Sequence, residues 1–244
     1  MCNTDEGKII NKRERPSILS VPSWVIPGTY AENLRFLENR KEIEGVELLF
    51  FLYDGEIKTQ LDSEWEEILH YGKRFVFTAH LPELLLPAHG ELVARLAPLV
   101  RHFIVHPPVE NPETLIQLLE EWRDRYGARF LVENTKADLL EAMLPLPEAG
   151  MGICMDTGHL LLDGKNPADF FKKYREHIGE IHLHSTDRKQ AAIDGRLMDH
   201  RQLRGDEGWL PELLQLLEDY SGVINLEVFS WEEVRAGIDI LCSP

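Results

Sequence analysis

The chain has no apolar run near the roughly 20 residues that a membrane-spanning helix requires, so no membrane insertion is expected. Its three cysteines, Cys2, Cys154 and Cys242, are few, odd in number and without metal-knuckle spacing. That usage fits a reducing cytoplasm. Positive charge is also scarce: 26 Lys plus Arg stand against 42 Asp plus Glu, a net charge of −16. Affinity for nucleic acid normally comes from cations that neutralise phosphates, so a nucleic-acid partner is not expected. The Gly-rich signatures G-x-G-x-x-G and G-x-x-x-x-G-K-[ST] are both missing, and with them the usual marker of nucleotide-binding open sheets. Lys8, Lys12, Arg13 and Arg15 precede the apolar stretch Ile18–Ile26, in outline a secretory leader. Pro22 and Pro27 break that stretch and no small-residue cleavage motif follows, so residues 1–15 read as a polar tail and 16–244 as one domain.

What is present is an alternation. Short runs rich in Val, Ile, Leu and Phe recur at Ile18–Val21, Val46–Leu52, Phe75–Ala79, Phe103–Val105, Phe130–Val132, Met151–Met155, Ile181–Leu183 and Ile224–Phe229. Most show little polar alternation, as expected of strands covered on both faces. Amphipathic stretches lie between them: Tyr30, Leu34 and Leu37, then Leu115, Leu118, Leu119 and Trp122, at helical spacing. Asn111-Pro112-Glu113 and Asn166-Pro167 offer an N-cap followed by Pro, and Ser230 with Glu233 has capping-box spacing. Gly127 and Gly222 stand where a left-handed cap residue is useful. The five tryptophans are expected mostly in packing positions. Eight β/α units in 244 residues fit an α/β fold with parallel strands, closed as a single (β/α)8 TIM barrel, for which about 250 residues is typical.

In such barrels chemistry gathers at the C-terminal strand ends. Reading off those ends gives Glu47, His80, His106, Glu133, Asp156 with His159, His182 with His184, and Glu227, to which the loop after the seventh strand adds Asp199 and His200. Six of the chain's ten histidines fall there. Any one of them has an ordinary structural explanation, and Glu47 or Glu227 alone suits a buried pair with Arg. Together, buried carboxylates and imidazoles at one mouth are costly unless paired or metal-bound. They are the donors that Zn, Mn, Fe or Co accept. Divalent metal ions are therefore the expected cofactors.

Val132-Glu133-Asn134, Met155-Asp156-Thr157-Gly158-His159, Ile181-His182-Leu183 and Leu226-Glu227 resemble the motifs of xylose-isomerase-like, or endonuclease-four-like, TIM barrels. The resemblance implies that Glu133, Asp156, His182 and Glu227 bind a central metal, and that His80, His106, His159 and His200 stand where further metals are held. A closer resemblance, to the cobamide-remodelling phosphodiesterases (the CbiR family), runs through Ser23–Pro27, Tyr30–Asn33, Val46–Phe51, Asp156–Leu162 and Leu226–Ser230. It implies hydrolysis of the nucleotide loop of a vitamin-B12-type corrinoid, leaving cobinamide phosphate and an α-riboside. Glu133, His159 and His184 are then the expected participants in chemistry, and Glu47, Tyr53 and Leu162 the expected substrate contacts. Sugar isomerases and epimerases of this superfamily often carry Lys where His184 stands, which weakens that alternative. An abasic-site endonuclease is disfavoured by the charge, and a non-catalytic corrinoid-binding protein leaves the metal ensemble without a purpose.

Overall fold

A computed structural model of the chain describes residues 2–3, 9–10, 16–135, 137–142, 150–187 and 198–242. Eight strands close into a parallel barrel: β1 (Ile18–Pro22), β2 (Gly45–Leu49), β3 (Val76–His80), β4 (Val100–Val105), β5 (Phe130–Glu133), β6 (Gly152–Asp156), β7 (Ile178–His182) and β8 (Val223–Asn225). The strands follow one another in sequence order, and β8 pairs with β1 to complete the ring. Helices α1 (Tyr30–Leu37), α2 (Gly55–Tyr71), α3 (Gly90–Leu96), α4 (Pro112–Tyr126), α5 (Ala137–Ala142), α6 (Thr157–Leu162), α7 (Pro167–Tyr174), α8 (Leu210–Leu216) and α9 (Trp231–Cys242) lie along the connections. The expected fold class is the observed one. A small antiparallel ladder, Ser185–Asp187 with Met198–Arg201, rises after β7. Of the expected N-terminal tail, only Cys2–Asn3 and Ile9–Ile10 are described, as a two-residue antiparallel pair; the rest lies outside the described residues.

Local signals set most helix ends. The Thr29 hydroxyl accepts from the Glu32 amide while the Glu32 carboxylate accepts from the Thr29 amide, a capping box that starts α1. Asp54 caps α2, Asn166 caps α7, and Ser230 accepts from the Glu233 amide at the start of α9. Gly127 ends α4 at φ +68°, as its position predicts. Two expectations fail. Asn111 adopts φ +56° and makes no side-chain cap, so Pro112 starts α4 without its help. Gly222 does not have a positive φ; a Cβ there would lie 2.6 Å from the Gly179 carbonyl, so close approach of β7 is what requires glycine. Four of the five tryptophans pack in or against the core as expected, and Trp24 is 55% exposed.

Alternation along the strands sorts the side chains. Val46 and Leu48 join the large core beneath the helices, whereas Glu47 points the other way. The register carries that inward face around the barrel: Glu47 pairs with Thr78, Glu133 with Cys154, Asp156 with His182, and His182 with Asn225. Ile104, Leu131 and Cys154 form a small apolar cluster on this inward face. The rest of the lumen is polar and buried: Ser20, Glu47, Thr78, His102, Glu180 and Asn225. Glu180 is satisfied within it, accepting from His102 Nε2 at 2.5 Å and from the Thr78 hydroxyl at 3.4 Å. Cys154 is buried with a free thiol, while Cys242 is disulfide-bonded, a bond that three unpatterned cysteines give no reason to expect.

Candidate metal centre

The strands stop early at the C-terminal mouth. β2 ends at Leu49 rather than Leu52, and β8 at Asn225 rather than Phe229, so Glu227 sits on irregular chain just beyond the ladder. Asp156 closes β6 and caps α6, its Oδ1 accepting from the His159 amide at 2.6 Å. Asn134 clamps the Asp156 backbone at both ends: its Nδ2 donates to the Asp156 carbonyl at 3.0 Å, and its Oδ1 accepts from the Asp156 amide at 2.8 Å. The Thr157 hydroxyl stitches this turn to the chain just past β7, donating toward the carbonyl of His184 and accepting from its amide. Gly158 leaves room for the result: a Cβ there would overlap the His184 ring and Asp199 Oδ1.

Glu133 is the hub. Its Oε2 lies 3.2 Å from His80 Nε2, 3.4 Å from His106 Nε2 and 3.6 Å from His182 Nδ1. Its Oε1 lies 3.3 Å from His159 Nε2. Glu227 Oε2 faces His182 Nδ1 at 3.1 Å and His200 Nε2 at 3.5 Å. Asp156 Oδ2 accepts from His184 Nε2 at 2.9 Å and lies 3.9 Å from His182 Nδ1. Asp199 closes the far side, 3.6 Å from His159 and 3.4 Å from His184. Among the described residues, every ion-pair partner of Glu47, Glu133, Asp156 and Glu227 is a histidine; the pairing with Arg considered for Glu47 and Glu227 does not occur.

The electrostatics follow from burial and these contacts. Burial alone raises a carboxylate, but His106 and its neighbours outweigh it and hold Glu133 well below the usual range. Glu227 is likewise held low against burial by His182 and His200. Burial pulls His159 down, yet its hydrogen bond to Glu133 and the charges of Asp156 and Asp199 win and lift it to about 10. His184, also buried, is lifted to about 9 by Asp156. Glu47 is pushed up to about 7 by burial, which the charge of His182 only partly opposes.

These residues fit divalent ions. His182 Nδ1 and Glu227 Oε2 are fully buried without a hydrogen-bond partner and lie 3.1 Å apart, an expensive arrangement that an ion bound by both would relieve. His80, His106 and Glu133 present donor atoms within 4.8 Å of one another, as do Glu133, Asp156 and His159, and His184, His200 and Glu227. Glu133 belongs to two of these groups, so its carboxylate is placed to be shared. The donors are nitrogen and carboxylate oxygen, which suit several divalent metals.

All eight residues expected as ligands therefore meet at one mouth. They divide by access: His80 and His182 are sealed, whereas His106, His159 and His200 keep 22, 23 and 30% of their side chains exposed. His184, expected to take part in chemistry, is fully buried behind Asp156 and stacks on His200 at 4.6 Å. Tyr53 packs edge-on against Phe50 and His89, and Leu162 is half-buried on α6. Phe51 and Phe229 are aromatics that touch the centre, 4.8 Å from the His80 ring and 5.0 Å from the His200 ring. Sequence reading misses Cys154, which lies with Glu133 and His182, and Asn225, whose amide bonds Glu47 at 2.8 Å. Only the strand register shows that both point inward.

Fold and centre define an eight-stranded β/α barrel with a histidine–carboxylate cluster at its C-terminal mouth. Residues 105–243 match the family model described as xylose isomerase-like TIM barrel. The chain belongs to that family. No curated protein matches it by sequence. Among solved structures it is similar to a probable 3-DHS dehydratase from Bacillus anthracis (TM-score 0.69, 14% identity, 93% of this chain and 99% of the other). It is also similar to 3-keto-D-glucoside 4-epimerase from E. coli (0.62, 15%, 92% and 97%) and endonuclease IV from Thermus thermophilus (0.62, 14%, 92% and 97%). At such identities these likenesses speak to the fold, and function has to be argued from the site.

Proposed function

We propose that this protein is a metal-dependent phosphodiesterase acting on the nucleotide loop of cobamides. The observation that carries the reading is a set of exposed apolar side chains on the loops that follow the strands. Among the described residues, six of the eight exposed large hydrophobic side chains sit on loops at the catalytic mouth: Trp24 after β1, Leu52 after β2, Leu84 and Leu86 after β3, Val109 after β4 and Phe229 after β8. Their exposures run from 38 to 80%. Apolar residues gathered at one site are a signature of binding. A small sugar does not require them; a broad corrin macrocycle does.

Glu133, Asp156, His182 and Glu227 would hold one divalent ion, with His80, His106, His159 and His200 available for further ions. A bound divalent ion supplies polarisation of the phosphoryl group and acidification of water at neutral pH. In the reaction one phosphoester bond breaks; water gives its oxygen to phosphorus and a proton to the leaving alkoxide. The products are cobinamide phosphate and a free α-riboside. His106, His159 and His200, the solvent-reachable imidazoles, would either bind a further ion or protonate the leaving oxygen, and their exposure supports the second role. Buried Asn134 clamps the backbone that presents the Asp156 carboxylate. Nucleic acid is disfavoured as a partner on charge, and no helix among the described residues is long and apolar enough to cross a membrane.

An isomerase or epimerase would use the same four-residue set and is the second reading. It has no use for the surplus histidines or the exposed apolar side chains. Incubation of metal-replete protein with adenosylcobalamin, and separately with keto-sugars, separates the two by chromatography and mass. Release of cobinamide phosphate supports the phosphodiesterase; untouched corrinoid with turnover of a keto-sugar replaces it.

A further inference from the structure

Glu47 is completely buried on β2 and reaches across the lumen to β7. Its Oε2 receives two donors, His182 Nε2 at 2.9 Å and Asn225 Nδ2 at 2.8 Å. A carboxylate oxygen that already accepts from an amide faces the imidazole as an acceptor, so in the neutral form that a metal requires the one His182 proton belongs on Nε2. Nδ1 then carries the lone pair. It makes no hydrogen bond and points toward Glu227 at 3.1 Å, Glu133 at 3.6 Å and Asp156 at 3.9 Å.

We propose that Glu47 is the positioning residue of the metal centre. It fixes the tautomer and ring orientation of His182, so that Nδ1 is presented to a divalent ion beside Glu133, Asp156 and Glu227, and Asn225 in turn holds Glu47. The arrangement is a carboxylate–histidine–metal relay turned inward across the barrel. Such outer partners raise the basicity of the ligating nitrogen as well as aiming it. This role differs from the substrate contact expected of Glu47 from sequence. The inference rests on the metal-centre part of the reading above and is independent of the identity of the substrate.

The test is zinc affinity, measured by calorimetry on chelator-stripped and refolding-checked protein, for the wild type, Glu47→Gln and Glu47→Ala. Glu47→Gln keeps an acceptor oxygen and the volume, so its melting temperature is expected to stay close to wild type while zinc affinity falls by about 10–100-fold. Glu47→Ala is expected to lose more. In the zinc-loaded wild type, nitrogen-15 NMR of the imidazoles is expected to find the His182 proton on Nε2 and zinc on Nδ1, a readout that needs no variant to fold. Coordination through Nε2, or full zinc affinity in a folded Glu47→Gln, overturns the positioning role and leaves the metal centre intact. A wild type that binds no divalent ion overturns the metal centre and this inference with it. Loss of corrinoid turnover with zinc binding unchanged in Glu47→Gln overturns the positioning role in favour of a substrate contact.

Discussion

The two oxygens of Glu133 face different histidines: Oε2 lies 3.2 Å from His80 Nε2, and Oε1 lies 3.3 Å from His159 Nε2. One carboxylate thus joins a sealed imidazole to a solvent-reachable one.

Removing that carboxylate should uncouple the two sides. Glu133→Ala is expected to lower divalent-metal content and reduce turnover by more than the roughly 10–100-fold typical of losing an outer-shell partner. Metal analysis of purified protein beside a rate assay checks it. Normal content and rate in the variant would remove Glu133 from the centre.

Metal binding should release protons, and the amount should depend on pH. Unfolded His159 titrates near 6.5, while in the folded metal-free protein it is held at about 10. Its contribution to metal-free stability is therefore complete below about pH 6.5 and is lost as the pH rises toward about 10. Near a pH of about 7.5 a metal must displace that proton. The calorimetric enthalpy of zinc binding is expected to vary with the ionisation enthalpy of the buffer at about pH 7.5, and to vary less near about pH 10. Identical enthalpies in all buffers at the lower pH would show that no protonated ligand is displaced.

Gly158→Ala should damage the centre through packing. The added Cβ would overlap His184 and Asp199, which are held against Asp156 and His159 rather than on a yielding surface. A loss of about 1–3 kcal/mol in stability is expected, with weakened zinc binding. Thermal denaturation and zinc titration check both effects. A variant with unchanged melting and affinity would mean that the turn after β6 shifts freely.

Leu84→Asp and Val109→Asp probe the exposed apolar side chains. Both residues are largely exposed, so stability should stay within about 0.5 kcal/mol of wild type. The KM for a corrinoid should rise while the zinc affinity is preserved. Unchanged kinetics with both substitutions would detach these side chains from substrate binding.

Much of the fold and the centre is legible in the order of residues alone. Period and spacing mark eight strands, and the strand ends with the loops just beyond them mark the histidines and carboxylates that meet at the mouth, because parallel strands in a closed barrel bring their C-terminal ends to one mouth by geometry. What stays hidden depends on register across distant strands. Nothing local to Glu47 shows that it meets His182 and Asn225, 135 and 178 positions away. Cys154 is a buried thiol, and its place beside Glu133 and His182 follows only from the ladder. The exposed apolar set is hidden for a different reason: Leu84, Leu86 and Val109 read as ordinary hydrophobic residues, and only their exposure sets them apart.

The most direct measurement is corrinoid turnover by one preparation in three states: as purified, stripped with chelator, and reloaded with a divalent metal. The expected result is that adenosylcobalamin yields cobinamide phosphate in the first and third states and stays intact in the second. Equal product in the stripped protein would contradict metal dependence, and intact adenosylcobalamin in all three would contradict the cobamide phosphodiesterase.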